Sequence, residues 1–131
     1  MKKNAFTLVE LLAVIVLLAL LILLTATVVS RQVKSGKTEV YNQQLTTIKL
    51  AAQMWGSENK NILSKYTDCV TITLGYLKDV GYVDQNIKNP ITDKEFNGNE
   101  IFVNITSKSR GYSFEVSDDK TKMCDVIDFN E

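Results

Sequence analysis

Hydrophobic and polar positions alternate along this chain in three different ways. From Leu11 to Val29 there is no charged residue, and only Thr25 and Thr27 interrupt the aliphatic and alanine side chains. A run of that length spans a hydrocarbon core as a helix. Beyond it, apolar residues recur at Val33, Tyr41, Leu45, Ile48, Ala52 and Trp55, mostly in steps of four and three. Lys34, Lys37, Glu39, Gln43 and Lys49 fall on other faces, so the spacing predicts an amphipathic continuation of the same helix. Gly36 weakens that helix locally and marks a candidate bend. Gly56–Asn61 ("GSENKN") predicts its end.

The remaining chain reads in shorter pieces. Tyr66–Val83 predicts a short extended segment, then a helical turn or two capped by Thr73 and stopped near Gly81. Asn86–Asn99 is turn-rich, with the only proline at Pro90 and an Asn97-Gly98 pair. Strand-like runs follow at Ile101–Thr106, Tyr112–Val116 and Met123–Phe129, with turns at Ser107–Gly111 and Ser117–Thr121. The expected fold is α+β: a long N-terminal helix, membrane-spanning in its first half and amphipathic in its second, packed on a small antiparallel sheet of three strands.

Composition narrows the chemistry. At 131 residues there is room for one ordinary domain. Lys plus Arg number 15 against 15 Asp plus Glu, so no basic field gathers phosphates and nucleic acid is disfavoured as a direct partner. Histidine is absent, which removes the commonest general base and metal ligand. Asp118, Asp119 and Asp125 lack the spacing of a calcium loop and read as solvated turns. Cys69 and Cys124 lack the further ligands zinc requires. An even cysteine count in a small exported domain reads most simply as one disulfide; the competing reading is two buried free thiols. Asn104-Ile105-Thr106 fits a glycosylation sequon. Tyr41, Trp55, Tyr66, Tyr76, Tyr82 and Tyr112 read as core and interface. No constellation points to an enzyme, and none implies a cofactor.

One residue contradicts its surroundings. Glu10 lies at the front of the apolar run, where a carboxylate is penalised by up to roughly 2.5–3.5 kcal/mol at a membrane centre and less near an end. A cleaved secretory signal accounts for Lys2, Lys3 and the small residues of Thr25–Ser30, but its apolar region is normally shorter. A plain signal anchor accounts for the length and leaves Glu10 unexplained. Arg31, Lys34 and Lys37 also outnumber Lys2 and Lys3, a bias that by itself would keep the later residues in the cytosol.

The stretch Ala5-Phe6-Thr7-Leu8-Val9-Glu10, behind a short basic leader and ahead of the apolar run, resembles the N-terminus of type IV pilins and pseudopilins. That resemblance implies a leader at 1–5, cut by a membrane-embedded prepilin peptidase between Ala5 and Phe6, with N-methylation of Phe6. It implies a filament-core helix over 6–29, an amphipathic continuation over 30–60 and a small globular head over 61–131. Glu10 of one subunit would pair with the Phe6 amine of another and set their axial register, because a buried charge left alone is penalised severely. Implied partners are other pilin subunits, the peptidase, an assembly platform with its ATPase, and the membrane before assembly. Nucleic acid would enter only through a competence filament. The implied location is the cytoplasmic membrane with the C-terminal domain outside, then a surface filament. The alternative is a single-pass anchored extracytoplasmic binding domain that never polymerises. Two departures stand out: Ala5 replaces the family's usual glycine before the cut, and Thr27 stands near its helix-bending proline. "AAQMWGSENK" and "YLKDVGYVDQNIKNPITDKEFNG" further resemble segments of small pilin-like proteins of Gram-positive bacteria.

Overall fold

The computed structural model describes residues 5–129. Its elements are α1 (Leu8–Glu58), α2 (Lys60–Leu63), β1 (Cys69–Thr73), α3 (Leu74–Asp79), β2 (Phe102–Lys108), β3 (Gly111–Ser117) and β4 (Asp125–Val126), with a 3-10 turn at Lys120–Lys122. The chain divides into two compact units between Lys37 and Thr38.

The first unit is helical from Leu8, and its side chains are exposed along the apolar run. Its hydroxyls are satisfied within the helix: Thr25 Oγ1 donates to the carbonyls of Leu21 and Ile22, Thr27 to Leu24 and Ser30 to Ala26. This back-bonding lets polar residues stand in an apolar segment without an unpaired group. The helix therefore continues through Thr27.

The second unit is built around a sheet of order β3-β2-β1-β4. Ile48, Ala51, Ala52 and Trp55 of α1 join Val70 and Ile72 of β1, Val103 and Ile105 of β2, and Ile127 in one buried cluster. These strand residues alternate with others, as one face of a pleated sheet requires. β1 and β2 pair antiparallel, as do β2 and β3. The β2–β3 hairpin closes through Ser109 and Arg110, with Gly111 at φ +134°, a conformation that favours glycine.

Two expectations are corrected. The sheet is mixed, because β4 runs parallel to β1, with Val70 opposite Asp125 and Thr71 opposite Val126. The expected strand Met123–Phe129 shrinks to Asp125–Val126. Both changes have the same cause, a polar clasp on the sheet's second face. Thr71 Oγ1 donates to Asn104 Oδ1 at 2.6 Å, Asn104 Nδ2 donates to the Lys122 carbonyl at 2.7 Å, and the Cys124 N–H donates to Thr71 Oγ1 at 2.9 Å. The chain leaving β3 is thus pulled back across the sheet and delivered beside β1 in β1's own direction. α1 ends at Glu58, within the Gly56–Asn61 stretch that predicts its end. Gly56 itself lies in the last turn and is buried, and a Cβ there would meet the Phe114 ring at 2.7 Å.

The turn-rich segment after α3 is pinned at several points. Gly75 N–H donates to the Gly98 carbonyl at 3.0 Å, and buried Lys78 sends its Nζ to the Phe96 carbonyl at 2.8 Å. Thr73 caps α3 by accepting from the Tyr76 N–H, as its place in the sequence predicts.

Candidate functional site

Ala5, Phe6 and Thr7 precede the first helical residue and are exposed. Phe6 is 84% exposed, so the Ala5–Phe6 peptide bond lies outside the helix with its flanking side chains uncovered. That placement suits a bond to be cut, since a protease binds its substrate in extended form. The rest of the expected leader, including Lys2 and Lys3, lies outside the described residues.

Thr7 and Glu10 form a reciprocal cap. The Thr7 N–H donates to the Glu10 carboxylate at 3.0 Å, and the Glu10 N–H donates to Thr7 Oγ1 at 3.3 Å. This is the capping box, in which two orphan donors of a helix start are satisfied by the side chains of a Thr-x-x-Glu sequence. A carboxylate in the first turn is also favoured by the helix dipole. Thr7-Leu8-Val9-Glu10 carries that Thr-x-x-Glu pattern in the sequence itself. Glu10 thus has a local partner in the isolated chain, besides whatever it meets in an assembly.

Cys69 and Cys124 are joined in a disulfide, with Cα atoms 5.7 Å apart. The bond lies beside the Thr71–Asn104 clasp and fixes β4 to the start of β1. Asn104 is buried in that clasp, so the Asn104-Ile105-Thr106 sequon offers no accessible acceptor.

The aromatic residues divide between the core and its margin. Tyr76 stacks on Phe129 at 3.7 Å between ring centroids, and Trp55 meets both edge-on. Tyr66 and Tyr112 are partly buried against the core cluster. Tyr82 donates its hydroxyl to Glu58, a bond that raises the Tyr82 phenol above its ordinary value. Of the three aspartates weighed as a calcium site, Asp119 accepts from the Thr121 hydroxyl and N–H and caps the 3-10 turn. Among the described residues no group of three His, Cys, Asp or Glu side chains is placed to hold a metal.

A cleft of about 310 Å³ opens where α1, the turn-rich segment and the ends of β2 and β3 meet. Tyr41, Phe96, Glu100, Asp118 and Lys120 are among its lining residues. Burial first, and then the Asp118 carboxylate, raises the Tyr41 phenol above its ordinary value; Glu100 adds to the effect. No sequence signal marks this cleft, because its walls come from four separate stretches of chain.

The family model described as the prokaryotic N-terminal methylation motif matches residues 1–26. The chain therefore carries a prepilin-type N-terminus, of the kind found in type IV pilins and pseudopilins. The segments that resemble Gram-positive pilin-like proteins lie beyond the matched residues. No curated protein and no solved structure matches the chain.

Proposed function

We propose that this protein is a structural subunit of a type IV pilus or related pseudopilus. It would be inserted in the cytoplasmic membrane, cut between Ala5 and Phe6, methylated at Phe6 and polymerised through its N-terminal helix. The observation that carries this reading is the methylation motif at residues 1–26, which runs into a helix long and apolar enough to cross a membrane.

Two features of α1 support it. Every residue of the apolar run in the first unit is exposed. In the second unit Val40, Leu50 and Met54 remain exposed on α1 while Ile48, Ala52 and Trp55 are buried. An amphipathic helix with a second, uncovered apolar stripe is suited to pack against other helices. Glu10 then has two successive partners: the Thr7 N–H within the chain, and the Phe6 amine of a neighbouring subunit once the leader is gone. A secondary methylamine stays basic, so methylation leaves that pairing possible. Mismatched offsets would strand both charges in an apolar bundle, and setting register is the best-attested use of buried polar groups.

Mass spectrometry of the protein from cells tests the reading. The expected species begins at methylated Phe6. A chain that retains Met1–Ala5 in cells possessing the peptidase supports the anchored, non-polymerising alternative.

A further inference from the structure

The β2–β3 ribbon carries opposite charge at its two ends. At one end is the hairpin tip, Lys108-Ser109-Arg110, all exposed and held by a two-residue turn. Neither Lys108 nor Arg110 has an ion-pair partner among the described residues. At the other end, next to Phe102 and Ser117, lies the cleft with Glu100 and Asp118 in its wall. Two carboxylates and one ammonium, that of Lys120, thus line the cleft. Tyr41 and Phe96 stand within the cleft with their rings 5.9 Å apart.

We propose that the hairpin tip of one copy docks in the Tyr41–Glu100–Asp118 cleft of the next. A guanidinium is matched to such a site: it forks onto a carboxylate and stacks on an aromatic face, and it is less hydrated than an ammonium. Lys108, across the hairpin from Gly111, adds a second cation to meet the second carboxylate. The two surfaces differ and lie at opposite ends of one ribbon. A contact of that kind is head-to-tail, so it repeats from copy to copy and generates an open filament unless the rotation closes a ring. Seven residues of strand separate tip from cleft by roughly 20 Å, so no chain can satisfy its own cleft. The proposal rests on the filament reading for the assembly in which it operates, but the contact itself involves only residues of the second unit.

The test uses the full chain in its native membrane and in filaments sheared from cells. Arg110→Lys keeps the charge and places an amine at the tip, and a zero-length carbodiimide joins an amine to a touching carboxylate with loss of water. The expected product is a covalent dimer whose cross-linked peptides join residues 108–110 to Glu100 or Asp118. Arg110→Glu, which keeps Lys108 as the reactive amine, should lower dimer yield roughly tenfold, as loss of a close charge pair does. Adding Asp118→Lys to that chain, which keeps Glu100 as the reactive carboxylate, should restore it, which a merely misfolded variant would not do. Cross-links that map only elsewhere overturn the docking, as does a yield indifferent to charge reversal, and filaments present in that case leave the filament reading standing. Tip-to-cleft dimers in membranes of cells that make no filament uphold the docking and sink the filament reading. A different protein cross-linked at the cleft in place of the hairpin also overturns self-docking.

Discussion

Glu10 illustrates how one side chain can serve two partners in sequence. Its carboxylate already receives the Thr7 N–H, so its place at the front of the apolar run has a local reason that owes nothing to assembly. The two roles separate by substitution. Glu10→Gln keeps an acceptor at the capping position and deletes the charge, since either residue completes a capping box. Thr7→Ala keeps the charge and removes one half of the cap, at about 1 kcal/mol of helix stability. If Glu10 sets register through its charge, Glu10→Gln inserts and folds normally but enters filaments poorly, while Thr7→Ala enters them nearly as well as the native chain. Equal losses for both, measured as subunit per filament length, would assign the effect to the helix start instead. Gly98 offers a second residue-scale test. A Cβ there would lie 2.6 Å from Gly75 Cα and 3.0 Å from its nitrogen, and backbone cannot swing aside. Gly98→Ala should destabilise the second unit by about 1–3 kcal/mol in denaturant unfolding, the range for overpacking.

Elements were legible in proportion to how locally they are determined. The periodicity of Val33 to Trp55 placed the long helix, and alternation with a glycine-bearing turn placed the β2–β3 hairpin. Thr73 announced the start of α3. What the pattern overstates is the last strand, expected over Met123–Phe129 and reduced to the two-residue β4, whose position depends on Asn104, Thr71 and a disulfide partner far away in sequence. No window of neighbouring residues encodes that clasp. The close packing of Gly56 has no local signal for a related reason, since the Phe114 ring its Cβ would meet lies on β3, far along the chain. At the N-terminus the Ala5–Glu10 motif and the Thr-x-x-Glu capping pattern within it are both local in sequence, whereas the cleft has no linear trace at all. The clasp makes its own prediction. Asn104→Ala leaves buried Thr71 Oγ1 and the Lys122 carbonyl without their partner, which should cost about 1–3 kcal/mol in denaturant unfolding. The 3-10 turn that follows β3 responds to acid. Hydrogen bonds from the Thr121 hydroxyl, then from its N–H, hold Asp119 below its ordinary value of 3.8. A carboxylate with a lowered folded value stabilises the fold above its unfolded value and loses that contribution as pH falls through the folded one. The Thr121 amide resonance should therefore titrate with a midpoint below 3.8, and Asp119→Asn should abolish that titration.

At the scale of the whole molecule, the disulfide bears on both stability and topology. Cys69 and Cys124 are 55 residues apart, and closing a loop of that length stabilises a fold by about 4 kcal/mol on the chain-entropy view. The bond clamps β4 beside β1, and beyond it Phe129 reaches Tyr76 and Trp55. Reduction should therefore loosen the C-terminal segment first and lower the melting temperature by roughly 10 °C or more. Disulfides persist outside the cytosol and are rare within it. Arg31, Lys34 and Lys37 just beyond the apolar run argue by charge bias for a cytosolic second unit, so the bond and the bias predict opposite topologies. The redox state of the protein in cells decides between them. Alkylating the denatured protein without reductant should label neither cysteine, and adding reductant should expose both. Full labelling without reductant would place the second unit in the cytosol. The charge bias would then have prevailed, and a subunit destined for an external filament would be facing the wrong way.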